Sequence, residues 1–418
     1  MRFYLILFCL CIYTNCYAQK NRTSSKPPQK GITKSKPISA EDLYYKAQDF
    51  FYGYNGTPID TTKAVSYYGK TAEMGYAEAQ RALGWRYVNG EGVVKSWEKA
   101  AFWFEKAAIQ GNGDAQCHIG YCYNYGKGVS QSYEKAFYWF KKAAENGIVE
   151  AQNNLGNLYE RGEGTPQDYD KAVYWYRKAA DQEYAYAQYN LGLCYKNGYG
   201  VSDIGQAVLW FKKAAEQKYS DACEELYSIY LEGIGVPKKI DEAKKWLIKG
   251  AELNNGRCQN ILGYNYRFGD DGFPVDGRKA IYWFEKAANQ NIAVSAGHIA
   301  SMYDEGDLVN KDINKATFWY QRASDLGDRM AKYFLAEHYR HGDGVEIDKV
   351  RAFNLIRESA GLGYVRAQID LGIMFEKGEG CSIDKRSAIY WYQRARDNEE
   401  ATKEEKAFAI SFLEKILQ

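Results

Sequence analysis

The sequence lacks an excess of charge of either sign: 55 Lys and Arg stand against 53 Asp and Glu, a net charge of +2. A nucleic-acid binder needs a basic excess or stripe to neutralise phosphates, so that class is set aside. A cysteine framework is also missing. Of nine Cys, three (Cys9, Cys11 and Cys16) fall in the opening residues. Cys117, Cys122, Cys194, Cys223, Cys258 and Cys381 keep no fixed spacing and form no CxxC pair. An oxidising compartment would permit a bridge, but no disulfide pattern is written in the spacing. These six read as small buried apolar side chains. The apolar run Phe3–Tyr13 is too short to span a membrane.

What the chain has in abundance is repetition. The stretch Tyr76–Gly111 returns, altered, as Asn112–Gly147 and Ile148–Glu183. Gly84, Gly120, Gly156 and Gly192 are each 36 residues apart by subtraction of positions, and Trp103, Trp139 and Trp175 keep that step. A period in this range marks stacked supersecondary units, and a solenoid grows without enlarging any single core. The 418 residues therefore need not divide into several globules. Aromatics make up 16% of the chain, including 38 Tyr, enough both for packing between helices and for exposed contact surface.

Taken in order, residues 1–18 pair Arg2 with the apolar Phe3–Tyr13 and end in Ala18, the pattern of a secretory signal peptide. The chain is thus expected to be exported, to a periplasm or the extracellular space. Cys16 has Tyr13 and Asn15 before it, which does not fit a lipoprotein signal. Residues 19–38 carry Lys20, Arg22, Lys26, Lys30, Lys34 and Lys36 with Pro27-Pro28 and no apolar periodicity, and are expected to be a disordered basic linker. Asn21-Arg22-Thr23 and Asn55-Gly56-Thr57 are glycosylation sequons, relevant only in a eukaryote.

Residues 39–399 are expected to hold about ten repeats, each a helix A, a Gly-containing turn and a helix B. Ala79, Leu83, Gly84 and Tyr87 share one face of a helix A that Gly90 ends. Helix B is expected over Trp97–Ile109, with Ala100, Trp103, Phe104, Ala107 and Ala108 buried. A degenerate first unit, Leu43–Tyr52 then Asp60–Gly75, is followed by units from Tyr76, Asn112, Ile148, Tyr184, Tyr219, Asn255, Ile292, Asp328 and Tyr364. The Tyr184 unit is one residue short and the Asn255 unit one residue long, both in the A–B turn, where a surface loop absorbs the change. Residues 400–418 are expected to form a capping helix that covers the last open face with Phe408, Phe412, Leu413 and Ile416.

These motifs carry a resemblance. Ala151-Gln152…Leu155-Gly156…Tyr159, Gly162…Gly164 and Lys171-Ala172…Trp175…Lys178-Ala179-Ala180 make the chain similar to the Sel-one-like repeat family, relatives of the tetratricopeptide repeats. The resemblance covers nearly everything after residue 40. It implies an all-α, right-handed α/α superhelical solenoid acting as an adaptor for protein complexes. In bacteria such proteins are often exported and linked to envelope or host-interaction functions. A cysteine-rich branch of the family, with cysteines paired between the helices of a unit, includes members described as β-lactam-binding or β-lactamases.

That branch supplies the alternative reading, a hydrolase of β-lactams or cell-wall peptides. Ser96-Trp97-Glu98-Lys99 and Ser132-Tyr133-Glu134-Lys135 match the Ser-x-x-Lys string. Against it, Asp60, Asp168, Asp203, Asp276, Asp312, Asp348 and Asp384 fill the same position elsewhere. Ser and Asp share the task of capping a helix N-terminus, whereas a nucleophile could not be exchanged for Asp. His338 and His341 sit three apart with Glu337 and Asp343 nearby, but lack further converging ligands and are expected to face solvent. The Gly-x-Gly pairs follow helices and recur in nearly every unit, so they are turn punctuation, not phosphate loops. No catalytic residue, metal or cofactor is assigned.

The favoured reading is recognition of a protein or peptide in a concave groove lined by the A helices. The residues expected there are Arg81, Trp85, Asn89, Tyr121, Tyr125, Asn153, Asn157, Arg161, Tyr189, Asn190, Lys196, Asn260, Tyr264, Arg267 and Tyr333. Rigid aromatics contribute contact area there and polar groups fix register. The competing role for the aromatics is to fill gaps between successive A helices.

Overall fold

The computed structural model describes residues 38–417; the expected leader and the basic segment up to residue 37 lie outside the described residues. Among the described residues there are 21 α-helices and no strand. Packing divides the chain after Lys95. The first unit holds the helices Ala40–Tyr52, Thr61–Glu73 and Ala77–Asn89. The second runs from the helix Trp97–Ile109 to the helix Lys403–Leu417. Within each unit every helix packs against its neighbours in sequence, giving an all-α solenoid of helix-turn-helix repeats.

Two local devices set the helix boundaries. B helices open on a side-chain cap: Asp168 accepts a hydrogen bond from the Lys171 amide at 2.9 Å, Asp348 from Arg351 at 2.8 Å and Asp60 from Lys63 at 2.9 Å. The exception is Lys239, which starts the helix Ile240–Glu252 without any side-chain cap. A helices close on a left-handed glycine such as Gly126, with φ +63°. Two residues on, Gly128 is also left-handed, and a Cβ there would lie 2.1 Å from the Trp97 carbonyl oxygen at the start of the preceding B helix. The second glycine of the pair thus seats each turn on its neighbour. The two irregular units keep their helices, Ala185–Asn197 with Ile204–Glu216 and Gly256–Phe268 with Gly277–Ala288, so the length changes fall wholly in the turns.

Space for the core comes from a complementary pair of positions within each repeat. The A-helix glycines Gly120, Gly156, Gly192, Gly263 and Gly372 lie against the buried rings of Phe140, Tyr176, Phe211, Phe284 and Tyr392. A Cβ at any of these glycines would come within 2.4–2.8 Å of the ring. Where the A helix carries the bulky Tyr227 instead, the B helix answers with the smaller Leu247. Each buried ring or aliphatic side chain contributes roughly 1.5–3 kcal/mol of burial.

This corrects one expectation. In most B helices the fully buried residue is the aromatic after the tryptophan, as with Phe104, Phe140, Tyr176, Phe211, Phe284 and Tyr392; Trp103, Trp175, Trp246, Trp283 and Trp391 are only half-buried. Both residues extend the apolar run, but the glycine-made hollow admits only one ring.

A polar latch runs beside the apolar seam. Gln116, Gln152, Gln188, Gln259 and Gln368 are buried, and each Nε2 donates to a carbonyl in the last turn of the preceding B helix, as Gln152 does to Ala144 at 3.2 Å. Each Gln oxygen accepts from the end of its own repeat: Asn146, Gln182, Gln217, Gln290 and Asn398 are the donors. These bonds satisfy helix-end carbonyls that burial would otherwise leave costly.

The helix Lys403–Leu417 packs on the preceding repeat through Ala409 and Leu413, with Phe412 stacked on Tyr392 at 5.2 Å. Phe408, expected on this covering face, is 63% exposed; Ala409 takes the buried place. No helix among the described residues is long and apolar enough to cross a membrane.

Candidate functional site: the face of the A helices

Residues four apart on an A helix lie one above the other. In the helix Gly113–Tyr125 this brings Tyr121 and Tyr125 to 4.5 Å between ring centroids, and in Gly256–Phe268 it brings Tyr264 and Phe268 to 4.5 Å. Tyr125, Tyr264 and Phe268 are 41%, 40% and 49% exposed. Trp97 extends the first pair, 6.4 Å from Tyr121. Arg161 is exposed at the end of the helix Val149–Arg161. Phe268 was missed in the sequence, although its four-residue spacing from Tyr264 is the signal that would have found it.

Many of the other residues expected on this face stitch successive A helices together. Asn190 Nδ2 donates to Asn153 Oδ1 at 2.9 Å and to Asn157 Oδ1 at 3.4 Å, while Asn157 also accepts from the Tyr176 hydroxyl at 2.6 Å. Lys196 pairs with Glu225 at 2.6 Å. Asn260 accepts from the Ser295 hydroxyl at 2.7 Å, and the Tyr333 hydroxyl donates to Asp370 at 2.8 Å. Burial raises the Asp370 carboxyl above its usual range, opposed by that hydroxyl. Tyr189 packs its ring against Phe211 and Tyr219. Asn153 is itself buried, so within this set it is an interior residue.

Arg267 is likewise buried, 8% exposed. Its guanidinium donates to Asp307 at 2.9 Å and Ser301 at 2.8 Å, and lies 3.4 Å from His298 Nδ1. His298 stacks on Phe284 at 4.8 Å. Burial first, then the Arg267 charge, lowers the His298 imidazole to about 4, so it is neutral at pH 7. Further along, Arg340 bridges Glu337 at 2.8 Å and Glu379 at 3.0 Å, and its hydrogen bonds hold the Glu379 carboxyl below its usual range.

In the first unit Arg81 pairs with Glu78 at 3.0 Å, and Trp85 and Asn89 are half-buried on the helix Ala77–Asn89.

The chemistry weighed for catalysis and metal binding is absorbed by structure. Ser96 Oγ accepts from the Lys99 amide at 3.2 Å and donates to Glu98 at 2.8 Å; Ser132 does the same with Lys135 and Glu134. The Lys135 ammonium lies over the Tyr123 ring, 4.9 Å from its centroid. His338, expected to face solvent, is 4% exposed, with Nδ1 2.6 Å from the Thr317 hydroxyl. His341 does face solvent, 3.5 Å from Glu337. One imidazole is thus engaged in the interior and the other lies in solvent. No group of three or more potential metal ligands occurs among the described residues.

A family profile described as Sel1 repeat matches ten segments: 50–76, 77–112, 113–148, 149–184, 185–219, 222–255, 256–292, 295–328, 329–364 and 365–399. No curated protein matches the chain significantly. Among solved structures, the chain is similar to c5321, a protective antigen present in uropathogenic Escherichia coli strains and displaying an SLR fold. The identity is 30%, over 90% of this chain and 84% of that one, with a TM-score of 0.59. A Sel1 repeat protein from Oxalobacter formigenes is 23% identical over 93% of this chain and 97% of its own, TM-score 0.43. Helicobacter pylori cysteine rich protein B is 23% identical over 31% of this chain and 92% of its own, TM-score 0.26. Ten consecutive profile matches, on helices bounded and packed as described above, show that this chain belongs to the Sel1 repeat family.

Proposed function

We propose that this chain is an exported, non-catalytic scaffold whose A-helix face grips an extended segment of a protein partner. The observation that carries this reading is the pair of aromatic stacks, Tyr121 with Tyr125 and Tyr264 with Phe268, in which Tyr125, Tyr264 and Phe268 stay exposed while polar residues of neighbouring A helices such as Asn190 and Asn153 pair with one another. Aromatics of this kind bury large area on binding at low entropic cost. Between them Arg161 supplies an exposed cation that can pair with a carboxylate or carbonyl of the partner. Export is supported by the leader-like residues 1–18.

Crosslinking in the native cell followed by mass spectrometry tests the face. Crosslinks from a single partner should fall on these A helices, and Tyr125→Ala with Phe268→Ala should abolish them while helical circular dichroism stays unchanged. Crosslinks confined to B helices would sink the proposal. The mature N-terminus should begin at Gln19. Nitrocefin turnover that disappears in Ser96→Ala or Ser132→Ala would end the non-catalytic reading.

A further inference from the structure

The repeats also provide an internal standard against which single departures stand out, and three departures meet at one point. Five residues before each repeat boundary the B helix carries Thr71, Ala107, Ala143, Ala179, Ala214, Ala287, Ala323 or Ser359, but Gly250 in the Tyr219 unit. Three residues after each boundary stands Ala or Ser, except for Cys258. Cys223 occupies the position that holds the latch glutamine in Gln116, Gln152, Gln188, Gln259 and Gln368. A Cβ on Gly250 would lie 2.6 Å from Cys258 Sγ and 3.0 Å from Cys223 Cβ, so the glycine clears the space that both cysteines border.

The two backbones are also held in register. Asn255 caps the helix Gly256–Phe268 by accepting from the Cys258 amide at 2.8 Å, and its Nδ2 donates to Asp221 Oδ1 at 2.9 Å, two residues before Cys223. Arg257 and Glu224 pair alongside at 3.3 Å. Both cysteines are fully buried and reduced in this structure.

We propose that Cys223 and Cys258 are a disulfide-forming site that, under oxidising conditions, staples the A helices of two successive repeats through the gap made by Gly250. The co-reactant is a small-molecule disulfide. One cysteine thiolate attacks it and forms a mixed disulfide, releasing one thiolate. The second cysteine thiolate then attacks the protein sulfur of that mixed disulfide, forming the Cys223–Cys258 bond and releasing the other. Two protein thiols lose two protons and two electrons, and the small disulfide is reduced to two thiols. The exchange belongs to folding, before the repeats close. Once they close, burial raises the Cys223 thiol to about 11 and pushes Cys258 higher still, with Glu224 and Asp221 adding to the effect at Cys258 and Lys249 opposing it at Cys223, so little thiolate remains to react.

The test is refolding of the full chain in a mixture of reduced and oxidised glutathione, then alkylation and non-reducing peptide mapping. The expected result is a linked pair of peptides containing Cys223 and Cys258, with Cys117, Cys122, Cys194 and Cys381 recovered alkylated. The denaturation midpoint should be higher than that of the reduced protein. Gly250→Ala restores the residue most repeats carry, yet crowds Cys258 Sγ; it should lower the yield of the linked pair without loss of helicity. Recovery of Cys223 and Cys258 as separate alkylated peptides from folded wild-type protein would overturn the proposal. So would a link from either one to another cysteine.

Discussion

Lys239 and Gly156 mark the two ways in which single positions govern this repeat. Every other B helix whose cap is described begins with Ser or Asp, and Lys239 leaves the first amides of Ile240–Glu252 without that acceptor. A carboxylate there would accept the amide bond and face the positive end of the helix dipole. Lys239→Asp is expected to stabilise the protein by about 1 kcal/mol, read as a higher denaturation midpoint and slower hydrogen exchange in Ile240–Glu252. At Gly156 the constraint is volume. A methyl group would lie 2.6 Å from the Tyr176 ring, whose hydroxyl is tied to Asn157 at 2.6 Å and Glu160 at 2.5 Å and cannot retreat. Gly156→Ala is expected to cost about 1–3 kcal/mol despite the better helix propensity of alanine. An unchanged midpoint would show that the helices part without strain.

On the scale of the helix, Ala293–Glu305 carries a half-buried base, His298, that is expected to make the fold acid-sensitive. His298 titrates near 4 in the folded chain against 6.5 when unfolded, so between those values the unfolded chain binds the extra proton. Its contribution is fully present above pH 6.5 and is lost as pH falls towards 4, up to about 3 kcal/mol. Arg267 repels the charged imidazole and Asp328 attracts it, with burial the larger effect. Denaturation of wild type and His298→Gln at pH 7 and pH 4.5 checks this: the wild type should lose more on acidification than the variant. Equal losses would place the acid sensitivity elsewhere.

This helix also shows what could be read in the chain beforehand. Its ends follow from the period and from Gly306, because caps and left-handed turns are local chemistry. The partnership of His298 with Arg267 was not legible. Their contact links neighbouring repeats, and which side chains meet there depends on packing that periodicity does not encode. For the same reason the A-helix face was legible as a face, while the division into exposed aromatics and interior stitches such as Asn153 was not.

For the whole molecule, the decisive feature of a solenoid is that its interior repeats are covered on both sides and its last repeat is not. Here the helix Lys403–Leu417 covers that side. Ala409 closes over Val365, Ile369 and Ala395, and Leu413 closes over Ala388 and Tyr392, the last of which is fully buried. Removing residues 400–418 would return these side chains to water, at roughly 1.5–3 kcal/mol for each large one, with no following repeat to hide them. The truncated chain is expected to self-associate or to fray from its end. Light scattering coupled to size exclusion should give a mass above the monomer, or hydrogen exchange should show Lys385–Arg396 opening first. Phe408→Ser separates this from a general loss of apolar surface: Phe408 is 63% exposed on the outer side of the same helix, so its replacement should leave mass and exchange unchanged. A truncated chain that stays monomeric with full protection of Lys385–Arg396 would mean that the last repeat stands without its cover.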